Sequence, residues 1–109
     1  MKRLLLTIGA CVCLSAHAGT FWDGNKLLSK LRGETMEQMQ ALGYIMGAAD
    51  AMDSVVVCAP LNATAGQMQD MVKNYLDNYP AVRHLAADSL IGVVLGRVWP
   101  CDKKKGQSL

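Results

Sequence analysis

A chain of 109 residues holds one domain. Five of its 11 basic residues are Lys2, Arg3 and the run Lys103, Lys104 and Lys105, so the body between them is mildly acidic and offers no basic face for nucleic acid. The apolar run Leu4–Ser15 is too short to span a bilayer, so no membrane association is expected once it is removed.

Residues 1–18 read as an export signal. Lys2 and Arg3 form the positive start, the apolar stretch follows, and Ala16-His17-Ala18 supplies the small-residue cleavage pattern. A rival reading takes Ile8-Gly9-Ala10-Cys11 as a lipoprotein box with Cys11 lipidated, at the expense of a very short apolar run. Cleavage after Ala18 removes Cys11 and Cys13 and leaves Cys58 and Cys101. Two cysteines in an exported small domain most simply form one disulfide. Its loop of about forty residues is worth roughly 4 kcal/mol in the chain-entropy model.

Helix signals dominate the mature chain, residues 19–102 forming the domain. The first predicted helix is Gly24–Leu31, with Asp23 as N-cap and Leu27, Leu28 and Leu31 on one side. Gly33 then breaks the segment. The second runs from about Met36 to Met52. Thr35 and Gln38 form a capping-box pattern, and Met39, Leu42, Ile45, Met46 and Ala49 recur at helical spacing.

Gly43, Gly47 and Asp50 share one face of that helix, at i, i+4 and i+7. Glycine weakens a helix interior by about 1 kcal/mol relative to alanine. Close packing against another helix would offset this, so Gly43 and Gly47 are expected to form a packing groove, with a ligand or partner seat as the sharper alternative. Asp50 lies near the helix C-terminus, where the macrodipole disfavours negative charge. It is therefore expected to have a partner, either backbone N–H groups or a cation such as Arg83 or His84.

Asp53–Asn62 contains Cys58 and Pro60 and reads as a loop. The third helix, about Ala65–Tyr79, starts on a second capping-box pattern, Thr64 and Gln67. Met68, Met71, Val72, Tyr75, Leu76 and Tyr79 form its apolar stripe. Thr64 also completes a glycosylation acceptor with Asn62, but the cap suffices to explain it. Pro80 favours a new helix start. A fourth, central helix is predicted over Ala81–Val98, with Val82, Leu85, Ala86, Leu90, Val93, Val94 and Val98 on one broad side, widened by Ile91 and Leu95. Trp99-Pro100-Cys101 ends it, and residues 103–109 form a polar flexible tail. The fold class is all-α, a compact domain of about four helices with one disulfide.

No catalytic set emerges. His84 is the one histidine after the signal, no metal-ligand spacing exists, and a triad drawn from Ser54, Ser89, His84 and Asp88 is no better than chance in a chain of this size. Neither an enzyme nor a cofactor is expected. The methionines at helical spacing read as core first and as an adaptable binding surface second.

Six short motifs then occur in order: Phe21-Trp22-Asp23-Gly24-Asn25-Lys26-Leu27-Leu28, Gly43-Tyr44-Ile45-Met46-Gly47-Ala48-Ala49-Asp50-Ala51, Cys58-Ala59-Pro60, Tyr75-Leu76 with Tyr79-Pro80, Arg83-His84 with Ala87, and Trp99-Pro100-Cys101. Together they resemble the Rap/Tai family of immunity proteins from type VI secretion systems. The resemblance implies a mainly helical protein of the periplasm that binds and blocks a peptidoglycan amidase effector. Many members carry two further cysteines at the places of Leu31 and Ala41 here, which implies a second bridge that this chain lacks. On that reading the two-glycine helix is scaffold and a homodimer is admitted. The partner-binding residues are expected at Asp77, Asn78, Tyr79, Arg83 and His84, since anchors favour aromatics and Arg. A small periplasmic chaperone that holds unfolded clients on its apolar, Met-rich faces is the alternative function.

Overall fold

The computed structural model describes residues 21–102; the expected export signal and polar tail lie outside them. Four α-helices, α1 (Gly24–Leu31), α2 (Thr35–Met52), α3 (Ala65–Asn78) and α4 (Ala87–Val98), enclose one apolar core, and the described residues contain isolated bridges but no strand. Every pair of helices is in contact. The Cys58–Cys101 disulfide is formed, across 43 residues of sequence.

α1 begins as expected. The Asp23 Oδ1 accepts a hydrogen bond from the Lys26 N–H at 2.8 Å, and Leu27, Leu28 and Leu31 are buried. The next two free donors of this helix are met from afar. Gly24 N–H donates to the Leu85 carbonyl at 3.0 Å and Asn25 N–H to the Arg83 carbonyl at 2.9 Å. Gly24 is required here, because a Cβ would lie 2.9 Å from the Arg83 backbone. The exchange is mutual, since Ala87 N–H at the start of α4 donates to the Trp22 carbonyl at 3.0 Å.

That crossing explains why the fourth helix starts later than predicted. Residues 83–86 are occupied in satisfying α1. Only Pro80–Val82 coil, as a single 3-10 turn. The buried face is also rotated from the expected one. Ala87, Leu90, Ile91, Gly92, Val94 and Leu95 are buried, whereas Leu85, Val93 and Val98 are exposed.

α2 buries a narrow stripe of Ala41, Ile45 and Ala49. Its predicted capping box does not form. Glu34 is the N-cap without a side-chain bond, and the Gln38 amide instead donates to the Gly33 carbonyl at 2.9 Å. The box at α3 is present, with Thr64 Oγ1 accepting from Gln67 N–H at 3.1 Å and Gln67 Oε1 from Thr64 N–H at 2.9 Å. Leu31 and Ala41 are both buried, so apolar packing fills the two places where relatives are expected to carry cysteines.

The glycine groove lies on the other helix. Nothing lies within 4 Å of a Cβ built on Gly43 or Gly47, so these two do not pack α2 against a neighbour within the chain. Gly92 and Gly96 of α4 have the same spacing and do pack closely. A Cβ on Gly92 would lie 2.8 Å from the Met52 Sδ, and one on Gly96 would lie 3.2 Å from the Val56 carbonyl oxygen. The 53–57 turn, with Ser54 at φ 65°, thus folds onto α4 and buries Val57. Cys58 N–H donates to the Trp99 carbonyl at 2.8 Å beside the disulfide.

Candidate partner-binding surfaces

The end of α3 divides the five expected binding residues into two groups. Asp77 and Arg83 are engaged in the fold. Asp77 pairs with Arg32 at the end of α1 and with Lys73 one turn back on α3. These hydrogen bonds, Arg32 first, hold its carboxyl below the usual carboxylate range. Arg83 folds its guanidinium over the end of α3, donating through Nε to the Leu76 carbonyl at 2.6 Å and through Nη2 to the Asp77 carbonyl at 3.2 Å. It satisfies orphan carbonyls of that terminus and does not pair with Asp50. Among the described residues the Asp50 carboxylate forms no ion pair, so the expected cation partner is absent; Asp50 is exposed.

Asn78, Tyr79 and His84 remain on the surface. Asn78 donates to the carbonyl and to the side-chain oxygen of Asn74. Tyr79 is 55% exposed, and its ring centroid lies 4.8 Å from that of Tyr75. Asn78 and Tyr79 border an open groove of about 360 Å³ between α3 and α4, completed by Met71, Asn74, Tyr75, Val94, Arg97 and Val98. Arg97 carries the groove's charge and forms no ion pair among the described residues. The sequence reading missed Arg97. Its signal was an arginine between Gly96 and Val98 at the end of an apolar helix, with Val98 left 50% exposed. Paired tyrosines, methionine and arginine are the residue types that carry binding energy at protein interfaces.

A second groove, of about 440 Å³, runs between α2 and the start of α4. Tyr44, Gly47, Ala48, Ala51 and Met52 form one side, and Asp88 and Ser89 the other. Tyr44 is stacked on Trp22 at 4.6 Å and 13° between planes. Burial pushes the Tyr44 phenol above its ordinary range, the Asp88 carboxylate adds to this, and a backbone hydrogen bond with Asp88 pulls it partly back.

Neither groove holds a cluster of acid, cysteine or histidine side chains suited to a metal, and none occurs among the described residues. The family model of the Rap1a immunity proteins matches residues 23–101, from the N-cap of α1 to Cys101 of the disulfide. The chain belongs to this family. No curated protein matches it significantly. Rap1a membership makes it an immunity protein directed at a secreted effector, acting as a non-enzymatic inhibitor that binds its target. Among the described residues no helix is long and apolar enough to cross a membrane.

Proposed function

We propose that this Rap1a protein works in the periplasm and neutralises a peptidoglycan amidase delivered by type VI secretion, by covering the enzyme's cleft. The family match over 23–101 is the observation that carries the reading. The export pattern of residues 1–18 and a disulfide suited to an oxidising compartment support the location. Occlusion needs a complementary surface and no turnover. The α3–α4 groove is the seat we assign to the effector, with Tyr79 and Arg97 as its anchors. Asn78 lines it as well, whereas His84 lies outside its lining, and Asp77 and Arg83 are engaged at the end of α3 beside it.

The test is co-expression with a periplasm-directed amidase, scoring lysis. The intact protein should protect. Tyr79→Ala and Arg97→Ala should lose protection at unchanged protein level, whereas Lys104→Ala should retain it, since an exposed charge run adds mainly screened attraction. Exposed Met36, Met39 and Leu61 are the features that favour client holding. Failure to block any amidase encoded nearby, together with suppression of aggregation of unrelated unfolded proteins, would replace this reading with the chaperone one.

A further inference from the structure

The α3–α4 groove is rich in unmet hydrogen-bond donors. Met71, Val94 and Val98 give it an apolar lining, and no carboxylate is among its residues. Its one ionised side chain is Arg97, in the last turn of α4. That place suits the helix dipole but supplies no counter-ion. Arg32 and Lys73 are engaged on Asp77, and Arg83 on the end of α3, whereas the Arg97 guanidinium has no hydrogen-bond or ion-pair partner among the described residues. The uncharged rim repeats the pattern. Asn78 Nδ2 donates to the carbonyl and to the Oδ1 of Asn74, at 2.9 and 3.0 Å. The Asn74 amide N–H groups and the phenol O–H groups of Tyr75 and Tyr79 are left to solvent or to a partner. A guanidinium, an amide and two phenols thus offer donors at one site, against one free amide carbonyl, Asn78 Oδ1.

Such a set selects an occupant with acceptor atoms and negative charge. Arginine pairs with a carboxylate through two parallel N–H···O bonds, and the apolar lining seats a hydrophobic neighbour. A second copy in the same groove would set Arg97 against its own duplicate, a like-charge contact. A membrane surface calls for a cluster of basic residues, and this groove has one. We propose that the effector enters this groove with an acidic side chain, Asp or Glu, that pairs with Arg97 beside an apolar residue laid on Val94 and Val98. The inference rests on the assignment of this groove as the effector seat and names the chemistry that the seat reads.

Two measurements test the proposal and separate it from that assignment. In the first, ¹⁵N-labelled mature protein is titrated in low salt with acetyl-Ala-Leu-Glu-Ala-amide and with its glutamine counterpart. The glutamate peptide should give saturable shifts at Asn74, Tyr79 and Arg97, and the glutamine peptide should bind at least fivefold more weakly. Arg97→Gln should remove that difference. Equal response to both peptides, shifts confined to Arg32 and Lys73, or no saturable shift would overturn the proposal. The second measurement is the lysis assay with a blocked amidase. Arg97→Glu should lose protection at unchanged protein level, and one Asp→Lys or Glu→Lys change in the amidase should restore it, a rescue that a merely structural role of Arg97 does not give. If Tyr79→Ala loses protection while Arg97→Gln keeps it, the groove stands as the seat and the carboxylate partner is refuted. If both variants protect as well as the parent, the seat itself is refuted and the proposal with it.

Discussion

Arg83 has a structural role that the sequence does not reveal. A lone arginine beside a turn has the composition of a binding anchor, and nothing local reveals that its guanidinium reaches back seven residues to the Leu76 carbonyl. Arg83→Ala should therefore destabilise the fold by about 1–3 kcal/mol, through loss of charge-assisted hydrogen bonds to helix-end carbonyls. Denaturant unfolding reads this directly. Asp77 gives a pH signature. Its carboxyl is held below its unfolded value by Arg32 first and Lys73 second. Its stabilising contribution is present above the unfolded pKa, about 3.9, and is lost as pH falls through the lower folded value. Arg32→Ala should move the Asp77 pKa up toward the ordinary range in a carboxyl NMR titration.

Among the elements, α1 and α3 were legible because their caps are local. Asp23 and the Thr64–Gln67 box act within three residues of themselves. The start of α4 was not legible, because residues 83–86 are withheld from the helix by hydrogen bonds to α1, more than fifty residues away in sequence. The glycines failed for a related reason. Gly43 and Gly47 have the same spacing as Gly92 and Gly96, and only the neighbour tells a groove from a bare face. The two pairs should respond oppositely to the same change. Gly92→Leu should cost about 1–3 kcal/mol by overpacking against Met52. Gly47→Leu should leave stability unchanged or raise it by about 0.5–1 kcal/mol through helix propensity. Thermal melts of the two variants side by side distinguish them.

For the molecule as a whole, the disulfide joins the loop after α2 to the segment after α4, so the C-terminal ends of these two helices are fixed together. Cys58 and Cys101 were legible by counting, since they are the pair outside the expected export signal. Cys58→Ala should lower stability by roughly 2–5 kcal/mol, read by denaturant unfolding against the oxidised parent. The proposed effector seat was half legible. Tyr79 was visible as an aromatic at a turn, whereas Arg97 joins it only through the packing of α3 on α4. The most direct measurement is titration of the purified protein into a cognate amidase hydrolysing peptidoglycan. Occlusion by a complementary surface predicts that hydrolysis stops near one inhibitor per enzyme, and that Tyr79→Ala shifts the endpoint to large excess with the fold intact. Undiminished hydrolysis at tenfold excess of folded, oxidised protein would contradict the account.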